Sequence, residues 1–109
     1  MTGKNKMVTG SGNVFRDIGS THPDRLLVRA KTMRRIAQII RERGMTQIRA
    51  ARTLNIPQSK VSCLMNGKLS MFSLEHLFEL LNALDRDVKI IIQPKAPQMR
   101  TAKTQIIVA

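Results

Sequence analysis

Between residues 46 and 67, helix starts and stops follow one another so closely that the backbone has few arrangements open to it. Thr46 is suited to cap a helix beginning at Gln47, and Asn55, a residue that tolerates the left-handed conformation, ends that helix at Leu54. Pro57 fits the first turn of a second helix, Gln58 to Met65, which Asn66-Gly67 closes. Ile48, Ala51 and Leu54 have the spacing of an inward stripe on the first helix, and Val61 and Leu64 on the second. Two helices joined by so short a turn must pack at a steep angle, and the small side chain of Ala51 is expected where they cross.

The flanking segments supply the rest of a core. Leu26, Leu27, Ala30, Met33, Ile36, Ala37 and Ile40 recur at helical spacing, while Arg25, Arg29, Lys31, Arg34, Arg35, Arg41 and Arg43 fill the other positions. This predicts an amphipathic helix of roughly 20 residues, entered through Thr21 or His22 and Pro23 and stopped at Gly44. Ser73 caps a further helix, Leu74 to Leu84, with a stripe of Leu74, Leu77, Phe78, Leu81 and Leu84. Asp87 to Gln93 is β-branched and reads as a strand halted by Pro94. A lone strand after four helices has no partner within its own chain, so Val88, Ile90, Ile91 and Ile92 are expected to pair with a second copy.

At 109 residues the chain holds one domain with tails. The expected division is a flexible N-terminal arm over residues 1–12, one domain over 13–95 that holds the helices and the pairing strand, and a C-terminal tail over 96–109. Within the domain, Val14, Phe15 or Ile18 of a short lead-in docks on the body. The fold class is mainly α: a domain of four to five helices with a C-terminal β-strand that pairs in a homodimer.

Charge narrows the function. The formal net charge is +12, and residues 46–69 carry four basic side chains and no acid. Such a chain is drawn to polyanions. With no Trp or Tyr and three Phe it has few platforms for stacking bases, so duplex DNA is favoured over single strands. One cysteine, Cys63, permits neither an internal disulfide nor a cysteine-built zinc site. His22 and His76 suggest no metal site, and no cofactor is expected. No nucleophile with its base and no carboxylate pair is apparent, so an enzyme is not expected. No apolar run approaches the ~20 residues that cross a bilayer, and the first 22 residues lack the apolar core of a secretory signal. The expectation is a cytoplasmic protein without a membrane partner.

Residues 46–68 resemble the helix-turn-helix of the lambdoid phage repressors and Cro proteins and of the xenobiotic-response-element-like (XRE) regulators, with Asn55 where that family usually has glycine. The resemblance implies that the helix opened by Pro57 enters the major groove of double-stranded DNA. Gln58 is then placed to pair with adenine and Ser59 with any base edge. Cys63 would meet a thymine methyl, with Ser62 a further groove residue. Gln47 would contact a phosphate and steady Gln58, Asn66 and Lys68 would clamp the backbone, and Lys60 and Arg49 would add phosphate contacts. The wider pattern over roughly 13–95 resembles compact bacterial and phage regulators encoded as the antitoxin of a toxin–antitoxin operon. That likeness implies a homodimeric autorepressor on a palindromic operator and, in part of the branch, capture of a toxin protein. Two other readings stay open: a protein-interaction module that uses the motif only as a scaffold, and a nonspecific nucleoid-type binder.

Overall fold

The computed structural model describes residues 23–108; the arm, the lead-in with Val14, Phe15 and Ile18, and the expected cap at Thr21 or His22 lie outside the described residues. Four α-helices follow in order: α1 Pro23–Glu42, α2 Gln47–Leu54, α3 Gln58–Met65 and α4 Leu74–Ala83, with a 3-10 turn at Leu69–Met71 ahead of α4. Thr46 Oγ1 accepts a hydrogen bond from the Arg49 amide at 3.1 Å. Ser73 Oγ accepts one from the His76 amide at 3.1 Å. Both caps stand where the sequence puts them, each taking up a first-turn N–H that has no partner inside its helix.

All four helices stop in the same way. Gly44, Asn55, Gly67 and Asp85 have φ between +57° and +71°. The next amide in each case reaches back over the final turn: Met45 to the Ile40 carbonyl at 3.1 Å, Ile56 to Ala51 at 3.1 Å, Lys68 to Cys63 at 3.0 Å and Arg86 to Leu81 at 2.9 Å. This is the Schellman closure, which satisfies carbonyls the helix would otherwise leave open. The first three stops were legible in the sequence; Asp85 does the same work without an obvious signal.

The core draws on every helix. Met33, Ile36, Ile39 and Ile40 of α1 meet Ala50 and Leu54 of α2, Val61 and Leu64 of α3, Phe72, and Leu77, Leu80 and Leu84. Phe72 and Leu77 bracket the start of α4 in the positions of a hydrophobic staple, fixing how the chain enters that helix.

Three expected stripes are shifted. On α1, Leu27 is exposed, whereas Val28, Arg29, Thr32 and Ile39 join the buried face. Thr32 is accommodated because its hydroxyl donates to the Val28 carbonyl at 2.6 Å, leaving no unmet polar group there. On α2, Ile48 is 55% exposed while Ala50 is fully buried and Ala51 half-buried. Close approach of α2 to its neighbours selects the alanine and leaves the bulkier isoleucine outside. On α4, Leu80 is buried in place of Phe78, which is half-buried, and Leu84 is wholly interior. Leu84 is therefore part of the monomer core rather than a surface that helps a dimer form. Arg43 Nη2 donates to its carbonyl at 2.5 Å, tying the end of α1 to the end of α4.

Beyond Arg86 the character changes. Residues 86–96 have no regular secondary structure, so the expected strand forms no ladder among the described residues. Val88 is half-buried, but Ile90, Ile91 and Ile92 are 70%, 77% and 95% exposed. The tail makes a turn, with the Met99 amide on the Ala96 carbonyl at 3.0 Å and Lys95 Nζ on the Met99 carbonyl at 2.7 Å. It then comes back to the start of α1, where the Thr104 amide donates to Asp24 Oδ2 at 2.8 Å. The sequence offered no pattern that foretold this return.

Candidate nucleic-acid interface

α3 turns its two aliphatic anchors, Val61 and Leu64, fully into the core. At 100° per residue the opposite side of the helix then carries Ser59, Ser62 and Asn66, with Cys63 at its margin. Ser59 and Asn66 are exposed and Ser62 half-exposed. Asn66 Nδ2 donates to Ser62 Oγ at 3.5 Å, one turn back along the same face. Cys63 is a free thiol, half-buried and packed against the core.

The start of the helix is stiff. Pro57 holds φ at −61°, and its carbonyl accepts the amides of Lys60 at 2.9 Å and Val61 at 3.2 Å. A rigid lead residue fixes where Gln58 and Ser59 emerge, and both are exposed. Eight residues make α3 about 12 Å long, and a helix with its side chains, about 10–12 Å across, fits the ~12 Å width of the major groove. Gln47, also exposed, is the first residue of the neighbouring α2. Lys68, exposed, follows the left-handed Gly67 that ends α3.

Gln58, Ser59, Ser62 and Asn66 are thus gathered on one projecting helix, with Gln47 and Lys68 in the segments that border it. Lys60 stands apart. Its Nζ is 5.2 Å from the centroid of the Phe72 ring, on the flank of α3.

Electrostatics favour an anion here. From Arg43 to Leu74 there are five basic residues, Arg43, Arg49, Arg52, Lys60 and Lys68, and no acid. Arg49, Arg52 and Lys68 are exposed. The acid just before this stretch, Glu42, is engaged with Arg35 at 3.7 Å.

His76, which stands between Glu75 and Glu79 in the sequence, is half-buried rather than a plain surface residue. In the structure its ring lies 5.7 Å from that of Phe72. Burial holds its pKa below the usual 6.5, Lys60 pushes it further down, and Glu79 works the other way. The available signal was the Phe72-Ser73 pair: a staple residue ahead of a cap fixes how the chain enters α4, and His76 lies in that first turn.

Among the described residues no group of His, Cys, Asp or Glu is placed to hold a metal ion. No helix among them is long and apolar enough to cross a membrane.

A family model described as a helix-turn-helix domain matches residues 14–93. Among solved structures, one named as a candidate XRE family transcriptional regulator is similar to this chain at 36% identity and a TM-score of 0.76, with 80% of this chain and 98% of that one covered. No curated protein matches the chain.

Proposed function

Because the chain belongs to the helix-turn-helix domain family, we propose that it is a transcriptional regulator that binds double-stranded DNA in a sequence-specific manner, with α3 as the recognition helix. The observation that carries this reading is the surface of α3: Gln58, Ser59, Ser62 and Asn66 project from one helix within a 32-residue stretch free of acids. Uncharged polar side chains flanked by cations suit base reading flanked by phosphate contacts, whereas a nonspecific binder has more use for lysines on that face. Pro57 sets the helix start, Gln47, Lys60 and Lys68 meet phosphates, and Cys63 packs at the groove margin. The similar XRE family structure supports the same assignment.

The finer reading is a cytoplasmic homodimer that represses its own operon from a palindromic operator, paired through Val88, Ile90, Ile91 and Ile92. Three consecutive exposed isoleucines support it, since a second copy would cover them and two recognition helices would reach half-sites about one helical turn apart. An antitoxin role remains part of this proposal. It draws support from a second surface: Leu27, Lys31, Arg34, Gln38 and Arg41 form an exposed stripe on α1, turned away from the core against which α3 packs.

The test is a salt-titrated mobility-shift assay with operator and scrambled duplexes. Gln58→Ala should lose roughly 1 to 3 kcal/mol on the operator and almost nothing on scrambled DNA. Equal losses on both would remove base reading. Full toxin neutralisation without any duplex binding would favour the interaction-module reading instead.

A further inference from the structure

Lys60 and His76 are third residues of two different helices, α3 and α4, and both half-buried side chains converge on one ring. Lys60 Nζ is 5.2 Å from the Phe72 centroid, and the His76 ring is 5.7 Å from it with a tilt of 31°. Phe72 is itself fully buried, so the core fixes the platform that positions them. The groups that act on His76 are Lys60 from α3 and Glu79 one turn along α4, with Glu75 exposed beside it. Two basic groups thus meet where the acid-free stretch 43–74 borders α4, with Glu75 and Glu79 on the α4 side. Lys60 and a protonated His76 repel each other there, and an anion set between them would relieve that repulsion.

Its location suits a DNA strand. Lys60 follows Ser59, so it leaves α3 about 100° around from the face that reads bases. With α3 in a groove, that flank faces the wall of the groove, where the sugar-phosphate chain runs. We propose that Lys60 and His76, set against Phe72, form a phosphate clamp beside the recognition helix that takes one phosphodiester of the DNA backbone and grips it more tightly when His76 is protonated. The inference rests on the DNA-binding reading above.

The linkage has a definite sign. A phosphodiester close to the imidazole favours its charged form, and by reciprocity the charged imidazole raises affinity for the phosphodiester. In the free protein burial and Lys60 disfavour the charged form of His76, so binding a phosphodiester beside it takes up a proton over the range in which the imidazole titrates. Affinity therefore rises as pH falls, independently of base sequence.

Fluorescence anisotropy with a labelled duplex of about 30 bp and arbitrary sequence measures this, because phosphate contacts do not depend on base identity. The full-length protein should bind about threefold to tenfold more tightly at about pH 6 than at about pH 8. His76→Gln should be flat over that range. His76→Arg, which keeps a charge at every pH, should bind at the higher pH as tightly as the unaltered protein does at the lower. An equal acid-driven gain in His76→Gln, or an unaltered protein indifferent to pH, would overturn the clamp while leaving DNA binding intact. Failure of the unaltered protein to hold any duplex at either pH would overturn the DNA-binding reading and the clamp with it.

Discussion

Every helix between Pro23 and Asp85 ends on a left-handed residue and sends fully buried side chains into one core, whereas among residues 86–108 no side chain is fully buried and three consecutive isoleucines meet solvent. The first region closes on itself: caps take the free amides, Schellman turns take the free carbonyls, and apolar area is removed from water. The second has the β-branched composition of an ordered strand but no neighbour to pair with among the described residues. Burying an Ile side chain stabilises by about 1.5 to 3 kcal/mol, and at Ile90, Ile91 and Ile92 most of that gain is unrealised within one chain. The contrast teaches that the helical region completes its burial within its own chain, while the segment after it does not, which is the basis of the proposed pairing with a second copy.

Paired substitutions break this comparison or sharpen it. Leu64→Ala, in the centre of the core, should cost about 2 to 5 kcal/mol of unfolding free energy, from lost apolar contact and the cavity left behind. Ile91→Pro should leave the urea transition of the dilute monomer nearly unmoved. It should abolish self-association in sedimentation and weaken operator binding roughly a hundredfold, the scale on which a second tethered contact acts. If Ile91→Pro stays dimeric, or unfolds as readily as Leu64→Ala, the two regions do not differ in the way described.

A smaller effect is expected at their junction. Asp85 has φ +63°, a conformation that a residue with a Cβ adopts at some cost. Asp85→Gly should raise stability by about 0.5 kcal/mol, the relief of the left-handed strain being partly offset by the greater freedom of glycine in the unfolded chain. Calorimetry detects a gain of that size. A loss instead would mean that the Asp85 carboxylate makes a contribution its geometry does not reveal.

Legibility in the sequence followed the same divide. Caps and stops are local chemistry, so Thr46, Ser73, Gly44, Asn55 and Gly67 could be read one residue at a time. Burial depends on what lies opposite, and reading apolar bulk as a sign of burial failed where tertiary packing set other terms. Close approach of α2 buried Ala50 and left Ile48 outside, and a hydroxyl bonded to its own helix let Thr32 go in. The candidate interface was legible as a set because Val61 and Leu64 fix the rotation of α3, which sends Ser59, Ser62 and Asn66 outward. The meeting of Lys60, Phe72 and His76 was not, since it joins residues 16 positions apart through a turn whose course periodicity does not predict.

The smallest effect concerns acid, and it belongs to the self-closed region. Burial and Lys60 both disfavour the charged form of His76 in the folded protein, so the unfolded chain binds a proton there more readily than the native one. Stability contributed by this site is therefore complete above the unfolded value of 6.5 and is lost as pH falls through that value toward the lower folded one. Thermal melts of the free protein should drop between about pH 7.5 and about pH 5.5, and His76→Gln should drop less. The sign is opposite to that expected for the duplex complex, in which acid tightens the grip of the same imidazole. If one group governs both, a single substitution removes an acid-driven weakening of the free fold together with an acid-driven strengthening of the complex. A His76→Gln protein that lost only one of these responses would assign the other to a different residue.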